Sequence, residues 1–247
     1  MNPSLSLLLI FSFSCTQSNH PDLLLSNLKI NKSDYDGYVI DRSNGFHRLG
    51  GSITNDSTYG IVTVHGYYPM GWPTKGFEWV NTLIQLSNNG IPVWFFRYDW
   101  NDCPENSVNY LYHQTEMLID NNPHLDSLWV IGHSMGGVVT SLFAEKWDQD
   151  FPITIHSIAA PLAGMKHQVI SGCEKIVRND YYISSTVNYT QWKTVHSQDG
   201  AFRKLKIDPQ LVNIRGGKSI LLPEEWQNTR LGHNKSIQWV CENIFQL

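Results

Sequence analysis

The stretch "LWVIGHSMGGVVTSLF", Leu128–Phe143, sets a serine between two glycines where an apolar run of strand character gives way to residues with helical spacing. Glycine and serine are poor strand and helix formers, so Gly132-His133-Ser134-Met135-Gly136 answers a need other than local propensity. A Gly-x-Ser-x-Gly turn between strand and helix supplies one. A serine at so sharp a turn takes a strained backbone conformation, and side chains at the flanking positions would collide with the neighbouring strand and helix. Its Oγ then projects at the top of the sheet, with the positive end of the new helix beneath it to favour an oxyanion. The bare pattern turns up by chance in about one chain in ten of this size. The strand before it, the helix after it and the additional Gly137 weigh against reading Ser134 as a simple helix cap.

Outward from this turn, β-branched and aromatic runs predict strands at Tyr59–Val64, Val93–Tyr98, Ser127–Ile131, Ile153–Ile158, Trp192–His196 and Ser219–Leu222. Helical spacing predicts helices over Phe77–Leu86, Val108–Ile119, Gly136–Trp147 and Ser236–Phe245. Strands alternating with helices imply right-handed crossovers and a mostly parallel sheet covered on both faces, an α/β fold. Ligands of such sheets bind beyond the carboxyl ends of the strands. Gly37–Thr54, with "SNG" between apolar runs, is expected to form an antiparallel hairpin at the sheet edge.

Four segments carry a resemblance to the α/β-hydrolases, in their lipase and esterase branch, from about Tyr59 to the C-terminus. "TVHGYYPMG" (Thr63–Gly71) resembles the HG box after the third strand of that fold, and "GHSMGG" its nucleophile elbow. "IHSIAAPLAG" (Ile155–Gly164) resembles a strand ending in a Pro-containing turn, with Pro161-Leu162 where many lipases have Pro-His. "RLGHNKSIQWVCENI" (Arg230–Ile244) resembles the histidine loop and last helix, and its Ser-Ile-x-Trp-Val-Cys pattern is similar to inositol-deacylase-like hydrolases, which tend to have Asp-His where this chain has Gly232-His233.

An unactivated hydroxyl is a poor nucleophile, so Ser134 needs a base and a carboxylate to orient it, which in this fold follow in the order Ser, Asp or Glu, His. His233 stands in that order; His196 precedes every acidic candidate, His65 belongs to the HG box, and His133 sits inside the elbow as a packing residue. The resemblance puts the carboxylate at Asp199 in "TVHSQDGAF", although Asp-Gly is also an ordinary turn signature. Asp208 in "LKIDPQ" and the pair Glu224-Glu225 remain competitors. The oxyanion donors implied are the backbone N–H groups of Tyr67 and Met135.

The reaction expected is hydrolysis of a carboxylic ester through an acyl-enzyme. The same triad would serve a thioesterase, amidase, peptidase or acyltransferase, and the fold without activity could serve as a binding protein. The thirty or so residues of 161–191 are long for a connection, which implies a cap or lid, and "VRNDYYISSTVNY" with Tyr67, Tyr68, Met70 and Trp72 could line an acyl pocket or serve the core. "HGYYPMGW" lacks the G-x-G-x-x-G of a dinucleotide site, and no metal, flavin or nicotinamide is implied.

The 247 residues, 41% hydrophobic, suffice for one sizeable core. Lys and Arg number 18 against 22 Asp and Glu, a net charge of −4 without a basic run, which argues against a nucleic-acid partner. Residues 1–19 are expected to be a processed N-terminus, with 20–247 as the hydrolase domain. "LSLLLIFSFSC" (Leu5–Cys15) resembles a secretory signal or the lipid-attachment site of bacterial lipoproteins, although no Lys or Arg precedes it. A lipidated Cys15 would tether the protein to a membrane in the cell envelope; the alternative is a buried N-terminal segment in a cytoplasmic protein. That oxidising compartment motivates a Cys103–Cys173 disulfide with Cys241 buried.

Overall fold

The computed structural model describes residues 23–246 apart from 53, 56, 165–172 and 174–177. The expected processing site around Cys15 lies outside the described residues. The apolar runs form strands β1 (Leu23–Leu24), β2 (Gly45–Gly50), β3 (Tyr59–Val64), β4 (Val93–Arg97), β5 (Ser127–His133), β6 (Ile153–Ile158), β7 (Asp180–Tyr182), β8 (Val187–Lys193), β9 (Asn213–Arg215), β10 (Lys218–Leu221), β11 (Glu225–Trp226) and β12 (Thr229–Arg230). The helices are α1 (Phe77–Ser87), α2 (Pro104–Asn121), α3 (Met135–Lys146) and α4 (Gly232–Asn243).

Eight strands make one sheet in the order β1-β2-β4-β3-β5-β6-β8-β10, and every neighbouring pair is parallel except β2 with β4. The central strands are apolar on both sides, as a sheet covered on both faces requires. Helices α1 and α4 pack together, as do α2 and α3. Trp79 and Leu83 of α1 and Phe143 and Trp147 at the end of α3 are fully buried with Phe95 and Phe96 of β4.

Three sequence expectations are corrected. Gly37–Thr54 does not form a hairpin: Gly45–Gly50 pairs antiparallel with β4, a strand distant in sequence, so "SNG" only admits the chain to the sheet. The strand expected at Trp192–His196 runs earlier, over Val187–Lys193. Its polar Thr190 and Gln191 disguise it, yet both are buried, Gln191 donating to the Gln210 carbonyl at 2.7 Å and accepting from Ser219 at 2.7 Å. The chain between β10 and α4 is not an open loop but a β11–β12 hairpin turning at Gln227 and Asn228, whose φ values of 52° and 55° fit a tight two-residue turn.

Of the connection expected as a cap, the described part contains β7, paired with β9 in a separate two-stranded sheet, and the start of β8. Cys103, beside Pro104 at the start of α2, is disulfide-bonded to Cys173, and Cys241 is free and buried in α4.

Candidate active site

Strand β5 ends at His133 and α3 begins at Met135, leaving Ser134 alone to reverse the chain at φ 55°, ψ −119°. That left-handed conformation costs about 1–3 kcal/mol in a non-glycine residue and is held by its surroundings. The glycines answer the collision anticipated from sequence. A Cβ on Gly132 would lie 2.5 Å from the Gly136 carbonyl oxygen, one on Gly136 2.3 Å from those of Val64 and His65, and one on Gly137 2.6 Å from the Ala160 Cβ. Strand, helix and HG loop are thus pressed together around Ser134.

Asp199 follows a short 3-10 turn, His196–Gln198, beyond β8, and its carboxylate is fully buried. Oδ1 accepts from the backbone N–H groups of Ala201 (2.8 Å) and Phe202 (3.1 Å), and Oδ2 from the Thr194 hydroxyl (2.5 Å) and from His233 Nδ1 (2.9 Å). Burial alone would push this carboxyl up. The His233 hydrogen bond and charge, then Thr194 and Ala201, outweigh it and hold it below its ordinary value. Asp208 lies elsewhere, accepting from Gln210 N at 3.0 Å and Nε2 at 3.1 Å, and Glu225 lies in the exposed β11.

His233 is the second residue of α4. Gly232 enters that helix at φ 57° and passes close to Gln198, where a Cβ would lie 3.1 Å from the carbonyl oxygen. Phe202 packs its edge against the His233 ring at 4.9 Å. His133 donates from Nε2 to the His233 carbonyl at 3.2 Å, and burial, then the His233 charge, holds its pKa well below the ordinary value. His133 therefore holds the backbone of the other histidine as a neutral ring. His196 donates to the Phe202 carbonyl at 2.8 Å and so shapes the Asp199 turn.

The HG loop is built on His65. Its Nδ1 donates to the Gly66 carbonyl at 2.7 Å, its Nε2 accepts from Tyr98 N at 3.3 Å, and burial pushes its pKa down to about 3. Because the peptide is planar and trans, anchoring the Gly66 carbonyl on one side turns the Tyr67 N–H to the other. Met135, first in α3, has no intrahelical acceptor for its N–H.

Ser134, His233, Tyr67 and Met135 line one cavity of about 640 Å³, with Tyr68, Trp72, Pro161, Phe202 and Leu231 among its apolar walls. Among the described contacts the Ser134 hydroxyl makes no hydrogen bond to His233, although both face this space. Met70 is fully exposed outside the cavity. Tyr181 and Tyr189 are buried in the core and Tyr182 is exposed, so the described part of "VRNDYYISSTVNY" does not line it.

The architecture matches solved structures over most of its length. A poly(3-hydroxybutyrate) depolymerase from Bordetella parapertussis superposes with a TM-score of 0.51 at 11% identity, covering 81% of this chain and 82% of that one. The chain has the α/β-hydrolase fold. An esterase from Pyrococcus furiosus matches with a TM-score of 0.50 at 14% identity, over 77% of this chain and 80% of its own. No protein-family profile and no curated protein sequence matches the chain. Within the α/β-hydrolase fold the residues missed by sequence reasoning are Thr194, Phe202 and Glu78. The first two end the stretch "TVHSQDGAF" around Asp199 with nothing local to mark them, and Glu78 is hidden in an otherwise ordinary amphipathic helix.

Proposed function

We propose that the protein is a serine hydrolase that cleaves carboxylic esters, with Ser134 as nucleophile, His233 as base and Asp199 as its orienting carboxylate. The observation that carries this reading is the 2.9 Å bond from His233 Nδ1 to the buried Asp199 Oδ2, at a cavity that Ser134 enters on a strained turn. Asp199 fixes the Nδ1–H tautomer, which leaves Nε2 free to take the Ser134 proton as Oγ attacks the ester carbonyl. The tetrahedral oxyanion is held by the N–H groups of Tyr67 and Met135, each worth about 3 kcal/mol to the transition state. Collapse expels the alcohol, protonated by His233, and water activated by the same ring releases the acid.

A small or lipid ester suits the largely apolar walls, and this substrate class rests on the cavity and on the fold alone. The Cys103–Cys173 disulfide supports an oxidising compartment, consistent with export of a protein carrying the Leu5–Cys15 segment.

The test is labelling with a fluorophosphonate, with the adduct located by mass spectrometry. The expected adduct is on Ser134 and is absent from Ser134→Ala. Folded wild-type protein that takes no label would favour a binding protein built on the hydrolase fold.

A further inference from the structure

The cavity holds one carboxylate that hydrolysis, as proposed above, does not use. Glu78, in the first turn of α1, is the only acid among the described lining residues, beside Tyr67, Pro69, Trp72 and Leu231. Its Oε1 accepts a short hydrogen bond from the Tyr68 hydroxyl, and the residue is only half-buried where it lines the cavity. Tyr68 cannot easily turn away: its buried ring stacks on His65 at 5.6 Å and meets Trp100 edge-on at 5.2 Å. The neighbouring Tyr35 hydroxyl is committed to the Lys75 carbonyl at 2.6 Å. Burial pushes the Glu78 carboxyl up, and the Tyr68 hydroxyl, its own backbone N–H and the His233 charge only partly offset this. A half-buried carboxylate held in place by one hydroxyl keeps acceptor capacity toward the cavity, where a ligand donor can take the place of water.

Position says which part of a substrate would do so. Helices α1 and α4 pack side by side, with Glu78 and His233 each second in its helix and both lining the same cavity. On the serine-esterase reading, on which this inference rests, His233 protonates the departing alcohol, so the wall beside it is where that alcohol is held. We propose that Glu78, held by Tyr68, is a specificity-determining residue that binds a hydrogen-bond donor, a hydroxyl or an ammonium, on the alcohol moiety of the ester. The preferred substrates are then esters of diols, polyols or amino alcohols rather than of plain alkanols.

Three butyrate esters test this, those of 1-propanol, ethylene glycol and N,N-dimethylethanolamine, with kcat and KM followed by acid release. Wild type is expected to favour one or both donor-bearing esters by about tenfold or more in kcat/KM, mainly through KM, the gain of one hydrogen bond to a charged group. Glu78→Met is expected to erase the preference. Glu78→Gln keeps the shape and an acceptor, and serves if the Met variant does not fold; it is expected to lose the ammonium preference and keep most of any hydroxyl preference, which separates the two donors. Equal kcat/KM for all three esters in wild type, or an unchanged preference in both variants, overturns the inference. If Ser134 takes no fluorophosphonate the esterase reading falls and this one with it; if Ser134 labels and the preference is missing, this inference alone falls.

Discussion

Gly66 lies against Ser134 so closely that a Cβ on the glycine would sit 3.1 Å from the Ser134 Cβ, and 3.3 Å from the His133 carbonyl oxygen. The loop that presents the Tyr67 N–H therefore touches the proposed nucleophile through a residue without a side chain. Gly66→Ala should push that loop outward by a few tenths of an ångström and misplace one oxyanion donor. The expected outcome is a 10- to 100-fold lower kcat with KM little changed, toward the lower end of what loss of one donor costs, roughly 10²–10³. Steady-state kinetics on a short-chain ester would check it, and a change confined to KM would contradict the assignment of Tyr67.

Asp199 and Asp208 make opposite predictions. Asp199→Asn keeps the shape but favours the wrong tautomer of His233, so kcat should fall by about 10³–10⁴. Among the described residues the Asp208 carboxylate bonds only to Gln210, and Asp208→Asn should leave kcat within about threefold of wild type. The reverse ranking would return the acid role to Asp208.

Three of the four buried histidines, His65, His133 and His156, make stability sensitive to acid. Burial pushes His65 down to about 3 and His156 to about 4, and burial, then the His233 charge, holds His133 well below its ordinary 6.5. Each is neutral in the folded protein, whereas the unfolded chain binds protons below about pH 6.5, so stability is full above that pH and is lost as pH falls from it. Each contributes a slope of up to about 1.4 kcal/mol per pH unit. Asp199 acts outside this window: its depressed carboxyl loses its contribution only below its ordinary 3.8. Urea unfolding from pH 7.5 to 4.5 should show the decline, and His156→Gln should make it shallower. A stability independent of pH over that range would contradict these environments.

The Cys103–Cys173 bond closes a loop with a sequence separation of 70. Replacing both residues by alanine should lower stability by about 2–4 kcal/mol, chiefly by freeing the unfolded chain. Thermal unfolding of the double variant beside the reduced wild type would measure it; equal melting temperatures for oxidised and reduced protein would exclude the bond as a structural brace.

The elbow was legible in the sequence because its requirement is local. A serine at positive φ between close-packed elements demands glycine at 132 and 136, and β3 and β6 appear with the bounds their apolar runs predict. The relation of Asp199 to His233 was narrower. Motif order and resemblance pointed to both residues, but Asp208 and the glutamates stayed open, since which carboxylate meets the imidazole depends on how the turn after β8 folds. That turn is held by Ala201, Phe202, Thr194 and His196, whose roles no local pattern marks.

Periodicity failed where burial is polar or pairing is distant. β8 hides behind Thr190 and Gln191, both buried, the Gln191 side chain being satisfied by Ser219 across the sheet and by Gln210, and β2 finds its partner in β4 across α1 and β3. Glu78 was invisible for the same reason: an acid in the first turn of a helix reads as a solvated residue until α1 is laid against α4 and Tyr68 is packed beneath it. By itself, then, the sequence determined the alternating strands and helices and the strained turn, because steric demands there act over a few residues. Only the tertiary structure decided which carboxylate faces His233 and which acid faces the cavity, because those partners are chosen by packing between elements far apart in the chain.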